Sequence, residues 1–366
     1  MNIMFIMPRY HTNIYNWIMK LKEEGDTVNV VFYHNLKRNL NCPVKPVLIN
    51  YSSLYLRLKK IFKIKCADSR CGVPDLKSLR ATFKSISPDI VIIRDPVRIF
   101  SIFSIIIALY LKINILLYTQ APVNSQYNII KRLVINFFLT FTGSYMISPI
   151  RGEGRIKKIK RFFYCPFITS VNQLKSESKK DEFKILMVGK YIPRKDHILL
   201  IEALIGLYER EKIHLTIIGV KQGKKVDEYY RKVEDVIKLN KLHDFITLED
   251  PLPYEELQQA YLEYNLFVLP SRDEEVGVTV LEAMSRGLPV ICSDTAGAAD
   301  FIRDYRNGIV FKSDDKGSLR TALEYCVSDR EKSMQMGRES IRIVKEYYDP
   351  DIFYRRLKIL KDIFFE

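Results

Sequence analysis

Two doubly wound α/β domains in tandem are the fold class that the sequence predicts, and three observations predict it. The chain has 366 residues, too many for one ordinary core, and its 47% hydrophobic and 28% charged residues give a globular balance. Short runs rich in Ile and Val alternate with segments of helical spacing in both halves, which is the pattern of βαβ units around a parallel sheet. Between the halves, residues 168–182 lose hydrophobic periodicity and turn polar, as an interdomain linker does.

In the first half, Met1–Met7 reads as a strand and Tyr15–Glu24 as a helix through Ile14, Trp17, Ile18 and Leu21. Strands Thr27–Tyr33 and Asp89–Ile93, a helix at Ile99–Leu111 and a strand at Ile113–Tyr118 follow. Residues 36–88 parse less cleanly, with a basic segment at Arg57–Lys65 and a helical pattern at Leu76–Phe83. The second half reads as Lys184–Val188 strand, His197–Tyr208 helix, His214–Gly219 strand, Glu228–Leu239 helix and Phe245–Leu248 strand. It continues with Glu255–Tyr264 helix, Leu266–Pro270 strand, Val278–Arg286 helix and Pro289–Ser293 strand. Asp351–Phe365 has Phe353, Leu357, Leu360 and Phe364 on one side of an amphipathic helix. The expected domains are 1–168 and 169–350, with 351–366 a separate terminal helix.

The net charge of +15 is split unevenly: residues 1–180 carry +20 and residues 181–366 carry −5. A basic first half suits an anionic partner such as acidic lipid headgroups, a phosphorylated acceptor or nucleic acid. Nucleic acid is the least suited, because neither a helix-turn-helix signature nor an aromatic stacking platform accompanies the charge. The run Arg151, Arg155, Lys157, Lys158, Lys160 and Arg161 before Phe162-Phe163-Tyr164 is a candidate contact for an anionic membrane surface or a lipid-linked diphosphate. Six cysteines lack CxxC spacing and read as reduced thiols, and five histidines never reach metal-ligand spacing, so no metal site is expected. Ile99–Leu111 is short of the roughly 20 residues that a span needs and reads as a buried helix. The first residues have no basic n-region, so a cytoplasmic protein is expected, peripheral on the inner face of the membrane if it binds lipid.

Open α/β sheets bind ligands at the carboxyl ends of their strands. Two second-half segments stand there. Gly189-Lys190 ends a strand, and the following loop adds Arg194 and Lys195, three cations able to neutralise a diphosphate that Gly189 lets come close. Pro270–Met284 passes from a strand through the acidic loop Asp273-Glu274-Glu275 to Gly277, where a helix begins. The free amides at the start of that helix form an anion site. Glu282 lies among Val280, Leu281, Ala283 and Met284, where a carboxylate is costly unless it accepts hydrogen bonds, and vicinal ribose hydroxyls would supply them. An offset of eight turns a helix by about 80°, so Glu274 and Glu282 are not aligned by helix geometry and Glu274 belongs on the loop.

Glu274 through Ile291, with its Glu-x7-Glu spacing, Glu282-Ala283-Met284 and Gly287-Leu288-Pro289-Val290, resembles retaining glycosyltransferases of family 4. Gly189-Lys190 and Lys195-Asp196 resemble the Gly-Arg and Lys-Gly pairs of that family, and the resemblance runs over residues 184–312. It implies the GT-B fold, two Rossmann-like domains whose cleft closes over a nucleotide diphosphate sugar, with the C-terminal helix returning to the first domain. It implies that Lys190 and Lys195 hold the diphosphate, Glu274 binds donor sugar hydroxyls, Glu282 binds the ribose, and amides near Val278 and Thr279 cradle phosphate. Transfer to a hydroxyl of a glycan or polyprenyl-linked acceptor, in surface polysaccharide synthesis and without metal or other cofactor, is the activity it implies.

The chain departs from the family pattern in Lys190 for Arg, Asp250 for Gly and Asp300 for Glu, and it lacks the Gly-Gly loop after the first strand. Gln120 stands where several members carry His. On the acceptor side, Arg9, His11 and Asn13 follow the first strand and Gln120 follows a later one, both at positions that face a ligand in a Rossmann-like domain. Two rival classes remain. A dinucleotide-dependent oxidoreductase lacks support because no GxGxxG follows either first strand. A non-catalytic sugar-nucleotide or scaffold protein would have no need of Lys190, Lys195, Glu274 and Glu282.

Overall fold

A computed structural model describes residues 1–33, 42–63, 71–121, 129–151, 159, 161–171, 182–208, 211–221 and 223–365. The chain divides into two compact units, Met1–Phe167 together with Pro350–Glu366, and Ile168–Asp349. Of the polar linker, 172–181 lie outside the described residues, as do Arg155, Lys157, Lys158 and Lys160 of the basic run.

The first unit is built on strands β1 (Asn2–Ile6), β2 (Thr27–Tyr33), β3 (Val47–Ile49), β4 (Ile90–Arg94), β5 (Asn114–Tyr118), β6 (Tyr145–Ser148) and β7 (Phe162–Tyr164). They pair in parallel in the order β3-β2-β1-β4-β5-β6-β7. Helices α1 (Tyr15–Glu23), α2 (Ser53–Ile61), α3 (Leu76–Ile86), α4 (Ile99–Tyr110) and α5 (Ile129–Phe141) connect them. Parallel strands need crossovers, and these bury both sheet faces, so the strands are apolar on both sides. Met4, Ile6, Val91, Ile93, Ile115 and Leu117 point to one face, where Leu79 and Phe83 of α3, Phe100 and Ile105 of α4 and Leu139 of α5 pack on them. The helix expected to be buried, now α4, is buried along one side only: Ile102, Ile106 and Leu109 are exposed, because a layer helix touches the sheet with a single stripe.

The second unit repeats the design with β8 (Phe183–Val188), β9 (Ile213–Ile218), β10 (Ile246–Glu249), β11 (Leu266–Leu269), β12 (Val290–Ser293) and β13 (Gly308–Phe311). Their parallel order is β10-β9-β8-β11-β12-β13. Its helices are α6 (His197–Leu204), α7 (Lys224–Leu239), α8 (Tyr254–Ala260), α9 (Val278–Ser285), α10 (Lys316–Ser328) and α11 (Arg330–Tyr347). Sequence periodicity carries α6 to Tyr208, but the helix stops at Leu204 and Gly206 takes a left-handed φ of +85° that ends helical winding. Two Rossmann-like doubly wound sheets, the expected fold class, are thus present.

The last helix, α12 (Pro350–Phe365), belongs to the first unit. Its apolar stripe meets α1: Phe353 stacks on Trp17 with ring centroids 5.0 Å apart, and Trp17 also touches Phe167 at 5.4 Å. The indole Nε1 donates to the Pro166 carbonyl at 2.9 Å, which satisfies its one polar group in a fully buried position. Lys361 pairs at 2.8 Å with Asp26, which also receives the Met1 ammonium at 3.0 Å. Cys42, Cys165, Cys292 and Cys326 are free thiols, whereas Cys71 is disulfide-bonded and corrects the expectation of reduced cysteines. Local CxxC spacing is no test for pairs joined by other intervals.

Replacing Trp17 by Ala removes the ring on which α1, α12 and Phe167 converge. The expected loss is about 3–5 kcal/mol of stability of the first unit, read as a lowered urea midpoint.

Candidate functional site

Strand order reverses beside β8: β9 and β10 lie to one side of it, β11 to β13 to the other. At such a switch point the chains leaving the two neighbouring strands diverge to opposite faces and open a crevice at the carboxyl ends. Here those chains are Gly189–Asp196 after β8 and Pro270–Gly277 after β11.

Backbone packing fixes the first loop. The Gly189 amide donates to Ile218 O at 2.9 Å, and a Cβ on Gly219 would lie 2.0 Å from the Gly189 carbonyl oxygen, so Gly219 has to be glycine. A short 3-10 turn, Pro193–Lys195, then presents Arg194 and Lys195, and Asp196 adopts a left-handed φ of +51° before α6. Lys190 is exposed in this loop.

The two loops are fastened to each other. Arg272 N donates to Arg194 O at 2.8 Å, and the Arg272 guanidinium reaches Asp196 at 3.2 Å and Asp314 at 3.1 Å. Arg194 donates to the Asp273 carbonyl at 3.3 Å and to Glu274 Oε2 at 2.6 Å, and Lys195 Nζ meets that same oxygen at 2.7 Å. Burial works to raise the Glu274 carboxyl, but the Lys195 and Arg194 cations outweigh it and hold the group ionised below its ordinary range. Burial pulls the Lys195 ammonium below its ordinary value, against the opposing attraction of Glu274. His197, buried behind this loop and stacked on Tyr191 at 4.7 Å, is lowered to about 3 by burial and by Lys195, so it adds no charge near neutrality.

Glu274 stands on the loop and α9 begins four residues later. Gly277 is constrained twice: its φ is +73°, and a Cβ would lie 2.8 Å from Leu269 Cδ2 and 2.9 Å from Ala298 Cβ. Only glycine lets α9 start this close to β11, and the start leaves Val278 and Thr279 in the first helical turn. Gly297 closes the other side, where its amide donates to Glu274 O at 2.8 Å and an added Cβ would lie 2.2 Å from Glu275 O.

Glu282, in the second turn of α9, is 8% exposed. The Tyr261 hydroxyl donates to its Oε2 at 3.1 Å, and Arg286, buried nearby, donates to the carbonyls of Gln258 and Ser170. Burial pushes the Glu282 carboxyl up to about 7, more than Tyr261 and Arg286 pull it down. A carboxyl poised there is held at a cost that a donor of hydrogen bonds would relieve.

The structure thus brings Gly189, Lys190, Arg194, Lys195, Glu274, Gly277, Val278, Thr279 and Glu282 to one end of the second sheet. Arg9, His11, Asn13 and Gln120 stand in the first unit, on the segments after β1 and β5. Arg9 Nε is 3.0 Å from His11 Nε2, and Gln120 accepts from Arg94 at 3.2 Å while donating to the Tyr118 hydroxyl at 3.2 Å. Sequence reasoning overlooked Arg272, Tyr261, Gly219 and Gly297. Arg272 was within reach, as a cation in the quoted loop. Gly219 and Gly297 owe their role to contacts with residues 30 and 22 positions away, which no local pattern displays.

Residues 170–342 match the model of the family described as Glycosyl transferases group 1. The chain is 26% identical over 160 residues to the D-inositol 3-phosphate glycosyltransferase of Nocardia farcinica, covering 43% of this chain and 35% of that protein. It is 23% identical over 198 residues to the lipopolysaccharide core biosynthesis glycosyltransferase LpsE of Rhizobium meliloti, 53% of this chain and 55% of the relative. The match therefore spans between a third and just over half of these relatives' own length. Over nearly the whole chain the fold is similar to that of a Rickettsia africae glycosyltransferase, with a TM-score of 0.75 at 15% identity and 99% and 98% of the two chains covered. It is also similar to Anabaena Alr3699/HepE in complex with UDP and glucose, with a TM-score of 0.73 at 13% identity and 99% of each chain covered. The architecture is GT-B, and within it residues 170–342 are similar to the Glycosyl transferases group 1 family.

Proposed function

We propose that the protein is a retaining glycosyltransferase that moves a sugar from a UDP- or GDP-sugar to a hydroxyl of a glycan or polyprenyl-linked acceptor. The observation that carries this reading is the Arg194–Glu274–Lys195 cluster at the switch point of the second sheet, directly ahead of α9. When the glycosidic bond to the diphosphate breaks, negative charge grows on the leaving phosphate. Lys190, Lys195 and Arg194 together with the amides of Val278 and Thr279 supply positive potential for it, without recourse to a divalent metal. Gly189 and Gly277 let the backbone approach the phosphates.

Glu274, kept ionised by its two cations, is suited to accept hydrogen bonds from sugar hydroxyls and so to position the anomeric carbon. Glu282 accepts hydrogen bonds from the ribose hydroxyls, which join Tyr261 as partners for a buried carboxylate. Arg9, His11, Asn13 and Gln120 are the acceptor-side residues. The UDP in the Anabaena structure supports a uridine donor, and the name of the Rhizobium relative, a lipopolysaccharide core biosynthesis glycosyltransferase, supports a glycolipid or glycan acceptor.

A second reading, a sugar-nucleotide-binding protein without turnover, is favoured by one observation: the Glu274 carboxylate is already engaged by both cations, Arg194 and Lys195. Binding and slow hydrolysis of UDP-, GDP- and ADP-sugars in the presence of EDTA separate the two. One donor hydrolysed under EDTA is the expected result; tight binding with no hydrolysis or transfer supports the second reading, and dependence on Mg²⁺ refutes metal independence.

Lys195→Ala removes one charge from the leaving-group side and leaves Glu274 with a single partner. Turnover of the preferred donor is expected to fall by about 10²–10³, with Arg194→Ala milder because that side chain is 41% exposed. Glu282→Gln reports on the ribose contact through pH. With its carboxyl raised from an ordinary 4.5 to about 7 in the folded protein, the stability tied to its protonated form is full below about 4.5. That stability is lost as pH rises through 7, so ligand-free wild type should fall behind Glu282→Gln in melting temperature between pH 5 and 8. The gap is at most about 3 kcal/mol, and nucleotide should narrow it. A gap that nucleotide leaves unchanged would place Glu282 outside the donor site.

A further inference from the structure

Twenty of the twenty-four large hydrophobic side chains exposed among the described residues belong to the first unit. Many of them follow helical spacing. On α5, Ile130, Leu133, Val134, Phe137 and Phe141 stand at i, i+3, i+4, i+7 and i+11 and are 60 to 78% exposed, while Ile135 and Leu139 on the opposite side enter the core. On the neighbouring helix in the chain, Ile102, Ile106 and Tyr110 of α4 are likewise exposed, with Phe100 and Ile105 packed in the same core. A helix that faces water carries polar residues on its outer side; these two are apolar on both sides.

Charge identifies what such a surface meets. The helices α3, α4 and α5 contain no Asp or Glu. On α3, Lys77, Arg80 and Lys84 are exposed one turn apart. The row borders the apolar side chains directly: the Arg80 guanidinium lies 5.1 Å above the Tyr110 ring of α4. Apolar side chains flanked by cations, with no acid among them, complement acidic headgroups above acyl chains. A second copy of the same face brings no carboxylate to meet the α3 cations, so self-association leaves them unpaired.

We propose that the outer face of the α3–α5 layer docks the first unit on a bilayer containing anionic phospholipid, with the α5 aromatics seated among the acyl chains and the α3 cations at the headgroups. α5 is about 20 Å long, enough to lie in the interface with its apolar side about 5–10 Å deep. The residues of this surface are other than those of the run Arg151–Arg161 that the sequence singles out. It rests on the functional reading above in one respect only, that a lipid-linked acceptor would be presented at such a surface; the docking itself requires no donor and no turnover.

The test is flotation of the full chain, without nucleotide, with vesicles of mixed phosphatidylcholine and phosphatidylglycerol, compared with phosphatidylcholine alone. Binding to the mixed vesicles, weakened by salt, is expected. Phe137→Ser with Phe141→Ser should reduce partitioning about tenfold or more, and Arg80→Glu with Lys84→Glu should reduce it about fivefold or more per residue changed. Hydrolysis of soluble donor should be unchanged in both, since neither pair touches the proposed donor site. Two results overturn the proposal: full binding by both variants, or no flotation of wild type, in which case a concentration-dependent dimer that Phe137→Ser/Phe141→Ser disperses would make a second copy the occupant of the face. Flotation without any donor hydrolysis would refute the glycosyltransferase reading and leave the docking face standing.

Discussion

The loops at the carboxyl ends of β8 and β11 depend on one shared carboxylate oxygen. Glu274 Oε2 receives both Lys195 and Arg194, and those two residues and Glu274 come from different loops that the sheet reversal beside β8 sends to opposite faces. The loops would otherwise be free to splay. The Arg272 amide, the Arg272 ion pairs and the amide of Gly297 reinforce the same closure from either side. A half-buried triad of this kind contributes modestly to stability once desolvation is counted. Its larger effect is geometric, since it holds two cations and the first turn of α9 in a fixed arrangement.

Much of this was legible in the sequence, for reasons that can be named. Parallel strands buried on both faces leave continuous Ile and Val runs, so β1, β2, β4, β8, β9 and β11 announced themselves within a residue or two of their observed ends. The segment Glu274–Val290 carries a spacing dense enough to mark its loop, its glycine and its helix. Arg194, Glu274 and Lys195 were each singled out, but their meeting at one oxygen was not, because 79 or 80 residues of chain separate the partners. Short edge elements escaped altogether. β3 and β7 have three residues each, too few for periodicity to register, and the left-handed Gly206 that ends α6 lies inside an otherwise helical pattern.

The two units use one architecture with different surfaces. The second places charge on its outer helices and keeps its apolar side chains inside: α11 alone carries Arg342 paired to Glu339 and Glu346 along its exposed side. The first leaves α4 and α5 apolar outside and carries all the positive excess of the chain, the second unit being net negative. Since the backbone frames are alike, this contrast comes from side-chain choice at exposed positions, where fold imposes little. It explains why an overall charge count hinted at an anionic partner without locating it: the informative residues were hydrophobic.

The stack of Trp17 on Phe353 also has a consequence for synthesis. The first unit is discontinuous, interrupted by the whole of Ile168–Asp349. A ribosome making this chain delivers α1 early, yet the ring that covers its indole follows only after the intervening unit has been made. The second unit is continuous and can close its core as it emerges, whereas the first must wait with an aromatic surface uncovered. Vectorial production therefore favours a fixed order of assembly in which the domain begun first is completed last.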